Sequence, residues 1–225
     1  MTPQTPQPLR RYPRQPLLAA AFLCSGAPLV ISIVTHLSLA VTLAAGVAVA
    51  ALIVFLKWTR GDAHSRALIK ATLVTGLIAG VASTAAYDGV RILLVQLGHM
   101  KFYPFETFNR FGELLIGYDS SRAVNMSVGT GYHLLNGIAF ATSYCFMFGG
   151  RSWWFGVLWA LGLEAMMFTT YTNWLDLEEV MAEFVAVSLV GHLAYGTTFG
   201  LIGQYQLRPE RLPRAPSPDA SGSPA

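Results

Sequence analysis

Residues 38–57 read "SLAVTLAAGVAVAALIVFLK", and the only charge among them is the closing lysine. An α-helix of about 20 residues rises about 30 Å, the thickness of bilayer hydrocarbon. A run of that length with no charged face has nothing to turn toward water. The stretch is therefore read as a membrane span, and the rest of the chain is read around it.

Composition agrees. Hydrophobic residues fill 53% of the 225 positions and charged residues 12%, about half the charged share of a soluble domain. Cys24 and Cys145 both sit in apolar runs, so there is neither a disulfide framework nor a CxxC metal signature. The surplus of three positive charges is scattered over loop ends and forms no basic patch, which excludes a nucleic-acid partner.

Six spans are expected, at about 17–35, 38–57, 68–90, 127–148, 153–173 and 180–204, giving an all-α polytopic bundle. Pro28 is expected to kink the first. Residues 1–16 and 208–225 are rich in proline, glutamine, serine and alanine and are expected to be disordered tails. With both tails on one side, that side carries eleven Lys and Arg residues, from Arg10 to Arg214. The other side carries four, Arg91, Lys101, Arg110 and Arg122. By the positive-inside rule the expected setting is a bacterial-type inner membrane with cytoplasmic termini.

The long outer connection contains "YPFETFNRFGELLIG", residues 103–117. Phe105, Phe108, Phe111 or Gly112, and Leu115 fall on one helical face, with Glu106, Asn109, Arg110 and Glu113 on the other. That is the pattern of an amphipathic helix in the interface plane.

Charged groups deep in a bilayer are costly and mark functional positions. Asp88 and Arg91 lie near the outer end of the third span, one helical turn apart and able to pair. His133 and Asn136 share a face of the fourth span, about 9 to 14 Å below its outer start. Glu164 is close to the middle of the fifth, with Tyr171 two turns farther out. In the sixth, Ser188, His192 and Tyr195 form one stripe, whereas Glu183 lies on the opposite side and is assigned to the interface. The inner halves of these spans carry almost no charge, which suggests a polar cavity open to the outer face.

Two imidazoles and a carboxylate at similar depth are the ligand types of a zinc or ferrous iron site. The expectation is that His133, Glu164 and His192 hold such a cation. Asp88, Tyr171 and Asn136 would then serve catalysis, while Arg91 and Tyr195 meet the substrate. A site reached laterally from the bilayer suits a lipid-like or amphiphilic substrate, and metal-assisted oxidation or hydrolysis is the expected chemistry. The same residues would serve a proton-coupled or ion and solute transporter, or simply hold helices together in an accessory subunit of a membrane complex. "HLLN" is similar over a few residues to the oxyanion-hole segment of rhomboid proteases. The spacing is HxxN rather than HxxxN and no GxSG follows, so that family is set aside.

Overall fold

The computed structural model describes residues 12–171, 174–175 and 177–212, and every regular element among them is helical. Eight α-helices follow in order: α1 (Pro16–Ala21), α2 (Gly26–Thr35), α3 (Leu39–Arg60), α4 (Ala63–Gly98), α5 (Glu106–Ile116), α6 (Arg122–Phe148), α7 (Trp154–Tyr171) and α8 (Met181–Gln206). Short 3-10 turns stand at Glu178–Val180, ahead of α8, and at Pro209–Arg211, after it.

Among the described residues, three helical segments are long and apolar enough to cross a membrane: α3, α4, and the run Glu178–Gln206 that contains α8. The most apolar is α3, with a mean hydropathy of 2.7 and only 6% of that stretch buried inside the protein. Most of its side chains are left without a packing partner among the described residues. At 36 residues α4 rises about 54 Å, well over the roughly 30 Å thickness of bilayer hydrocarbon.

The first expected span is not one kinked helix. The chain leaves the helix after Ala21, turns through Phe22–Ser25 and starts again at Gly26. Pro28 therefore sits in the first turn of α2, where its missing N–H is no loss because the first N–H groups of a helix have no intrahelical partner. A proline read as a kink was marking a helix start.

Residues 1–11 and 213–225, which include most of the two expected tails and Arg10, Arg11 and Arg214, lie outside the described residues. Within the first tail, Tyr12 hydrogen-bonds Thr72 Oγ1 at 2.6 Å, and the Gln15 amide donates to the Phe146 carbonyl at 3.0 Å. Those contacts fasten the chain before α1 begins.

Tight crossings build the bundle. α4 lies between α6 and α8, and α7 packs on the other side of α8. Small residues make this possible, at a GxxxG pair of Gly76 and Gly80 on α4 and another of Gly196 and Gly200 on α8. A Cβ on Gly76 or Gly80 would collide with Thr142 or Ile138 of α6, and one on Gly200 would meet the Trp153 carbonyl at 2.4 Å.

The amphipathic stretch is a helix, but its buried face is used against the protein. Phe108, Asn109, Phe111 and Gly112 are all buried, against α6 among others. A Cβ on Gly112 would stand 2.1 Å from the Asn125 carbonyl oxygen, and one on Gly129 would stand 1.7 Å from that of Phe108. Asn109, assigned by the sequence to the polar face, is buried and donates to Glu113 Oε1 at 2.7 Å. Gly117 ends α5 with φ at +95°, a conformation that favours glycine.

Candidate functional site

The site lies at the end of the bundle where α5 packs, built from the C-terminal halves of α4 and α7 and the N-terminal halves of α6 and α8. On α4, Thr84, Tyr87, Asp88 and Arg91 recur at the spacing of one helical face. Asp88 gives its two oxygens to different partners. Oδ1 meets Arg91 Nη1 at 3.3 Å and Oδ2 meets His133 Nε2, on α6, at 3.1 Å. Arg91 continues outward, donating through Nη2 to the Pro104 carbonyl at 2.8 Å, and its guanidinium lies 4.6 Å over the Tyr87 ring.

A second pair forms between α7 and α8. Glu164 is 2% exposed, and its Oε2 lies 2.5 Å from His192 Nδ1 and accepts from Ser188 Oγ at 2.9 Å. His192 Nδ1 is also 3.1 Å from the Ser188 carbonyl. A nitrogen facing two acceptors must carry the proton, so the neutral imidazole is the Nδ1–H tautomer with its lone pair on Nε2. The same logic fixes His133, whose Nε2 faces a carboxylate and whose Nδ1 then holds the lone pair. Neither of those second nitrogens has a hydrogen-bond partner among the described residues.

Tyr87 stands between the pairs. Its ring centroid is 5.0 Å from that of His192 in an edge-on contact and 5.8 Å from that of His133. Gly191 opposite admits it, because any Cβ there would fall 2.8 Å from the ring. Phe108 of α5 covers His133 from the other side at 4.6 Å between centroids.

Both histidines line a pocket with an empty volume of about 960 Å³, its open mouth included. Its walls are mainly apolar, among them Leu29, Phe111, Phe140, Met166 and Phe184, and Asn136 is the amide among them. Three polar atoms on lining residues, Thr84 Oγ1, Arg91 Nε and Asn136 Oδ1, are buried without a hydrogen-bond partner among the described residues. Tyr171 also lines it, with its ring in an aromatic group with Phe111 and Trp174. Tyr195 forms part of the inner wall, its hydroxyl donating to the Gly137 carbonyl at 2.6 Å. Beyond it Tyr144 and Phe199, both fully buried, close the bundle.

The expected triad of His133, Glu164 and His192 is not assembled. His192 meets Glu164, but His133 is turned to Asp88, and among the described residues no group of three His, Cys, Asp or Glu side chains could hold a metal ion. The zinc or iron expected from that triad thus has no three-residue ligand set. The reason is packing partnership. Depth and helical phase place a residue along and around its own helix but do not choose its neighbour. Here α6 packs on α4 and α7 on α8, so each histidine takes the carboxylate of a different helix.

Glu183 is off the site, as its phase indicates, and its Oε2 accepts the Phe102 amide at 2.7 Å. The residues that sequence reasoning missed are Tyr87 and Phe108. Tyr87 shares a helical face with Thr84 and Arg91, which was a legible signal, whereas nothing local marked Phe108 as a cover for His133.

Comparison of the chain with protein-family models, curated proteins and solved structures finds no match.

Proposed function

We propose that this is an inner-membrane protein of six spans, with both termini cytoplasmic, that binds a lipid-like or amphiphilic molecule. The apolar part of the ligand occupies the aromatic and aliphatic walls, and its polar group meets His133, His192 and Asn136. The observation that carries this reading is the convergence of two histidine–carboxylate pairs on one largely apolar pocket. The carboxylates orient the rings, so the second nitrogen of each is left as an acceptor for a ligand hydroxyl. Asn136 Oδ1 and Thr84 Oγ1 are buried acceptors that a ligand donor would satisfy.

Transport is the weaker reading, because few polar side chains toward the opposite end are left for a passing solute. There the polar side chains are spent on the protein itself: Thr75 donates to Gln206 Oε1 and Ser143 to the Ala19 carbonyl.

The test is organic extraction of the protein purified from its host membrane, followed by mass spectrometry. An amphiphile near one equivalent in the parent, lost in the His133→Ala, His192→Ala variant, is expected. An extract no different from that of an unrelated membrane protein in the same detergent would overturn the reading.

A further inference from the structure

A second cleft lies at the other end of the bundle, where α1 begins. It has an empty volume of about 1140 Å³ and is bounded by α1, the end of α3 and the start of α4. α3 supplies Ile53, Leu56, Lys57 and Arg60, a stripe at the spacing of one helical face, and α4 supplies Ser65, Leu68 and Ile69, another. Leu17 of α1 and the preceding Pro13 and Gln15 complete it. The cleft exists because α3 packs on α1 and α2 and diverges from α4 after the short turn at Gly61 and Asp62.

Its chemistry is divided along its length. Toward the membrane the walls are aliphatic: Leu17, Ile53, Leu56, Leu68 and Ile69. At the end of α3 stand two cations one helical turn apart, Lys57 and Arg60, both exposed and neither ion-paired among the described residues. Among the described residues no acidic side chain lines the cleft. Asp62, next in the chain, is committed to capping α4, accepting from the Ser65 amide at 2.7 Å.

We infer that this cleft binds one anionic phospholipid, with its phosphate between Lys57 and Arg60 and an acyl chain along the aliphatic walls of α3 and α4. Charge complementarity selects the occupant. An apolar groove ending in two unpaired cations leaves a zwitterionic headgroup's own cation facing like charge, whereas an anionic headgroup meets only attraction. The inference is independent of what fills the histidine pocket.

The test is native mass spectrometry of the full chain in neutral detergent, titrated with phosphatidylglycerol or phosphatidylcholine. The parent should retain phosphatidylglycerol preferentially with saturation at one molecule. Lys57→Gln with Arg60→Gln should weaken it roughly thirtyfold, the effect of two charges near a surface. Arg208→Gln with Arg211→Gln alters cations outside the cleft and should leave it unchanged, and Lys57→Arg with Arg60→Lys should restore it. Equal loss in both glutamine variants would show general surface attraction and overturn the site. So would absence of preference in the parent. Displacement by soluble glycerol phosphate at the same concentration would show that the acyl chain contributes nothing, and would overturn the assignment to a lipid.

Discussion

His192 and Glu164 meet at 2.5 Å across the α7–α8 interface, and Ser188, one turn before His192, bonds the same carboxylate oxygen. The second oxygen, Oε1, is buried without a partner. This pair is therefore a joint unit, and removing half of it isolates a buried polar group. His192→Leu should cost about 1 to 3 kcal/mol, the range for leaving a buried hydrogen-bonding group without its partner. Glu164→Leu with His192→Leu should recover most of that loss. Thermal or denaturant unfolding in detergent reads the cycle; additive losses would show that the residues are not coupled.

The contact of Gly129 with the Phe108 carbonyl sets the position of α5. A methyl group at Gly129 would lie 1.7 Å from that oxygen, whereas one at Gly131, half a turn away, would meet nothing within 4 Å. Gly129→Ala should destabilise by about 1 to 3 kcal/mol through overpacking, while Gly131→Ala should be neutral or slightly stabilising through helix propensity. Gly129→Ala should also lift Phe108 from His133 and weaken ligand retention. Equal melting temperatures for the two variants would remove the glycine-mediated crossing from this account.

The connection from α4 to α5 is held at two points, by Arg91 on the Pro104 carbonyl and by Glu183 on the Phe102 amide. Glu183→Ala should raise amide hydrogen exchange across residues 99–105 and leave the α7–α8 crossing protected. Exchange that rises equally everywhere would mean that Glu183 supports the whole fold rather than this segment.

Glu106 and Arg122 tie the start of α5 to the start of α6, and the guanidinium holds the Glu106 carboxyl below its ordinary value. A depressed folded-state pKa contributes stability at pH above the unfolded value, about 4.3 for glutamate, and that contribution is lost as pH falls through the folded value. Melting temperature measured from neutral pH downward should therefore fall more steeply in the parent than in Arg122→Gln. Parallel curves would show that the pair adds nothing, the common outcome for exposed ion pairs.

Three of the six expected spans fall on helices long and apolar enough to cross a membrane, because hydrocarbon thickness imposes a length and excludes charge, and both are properties of a linear string. That reasoning places α3, α4 and α8 without any knowledge of their neighbours. It also finds the Asp88–Arg91 pair and the Ser188, His192, Tyr195 stripe, since partners within one helix are fixed by its 100° step. Pro28 was misread because a proline marks a kink or a start depending on whether the preceding turn continues, and Phe22–Ser25 settle that through tertiary contacts. Asn109 was misread because its face of α5 is covered by another helix.

What the sequence by itself determined is which side chains share a helical face, as with Asp88 and Arg91 or with Ser188, His192 and Tyr195. What only tertiary structure decided is who pairs with whom. Periodicity assigns each side chain a direction from its own axis, but the choice of neighbouring helix is made by glycine contacts such as Gly80 on Ile138 and Gly200 on Trp153. Those contacts join α4 to α6 and α7 to α8, and so they turned an expected cluster of two histidines and one carboxylate into two histidine–carboxylate pairs on either side of Tyr87.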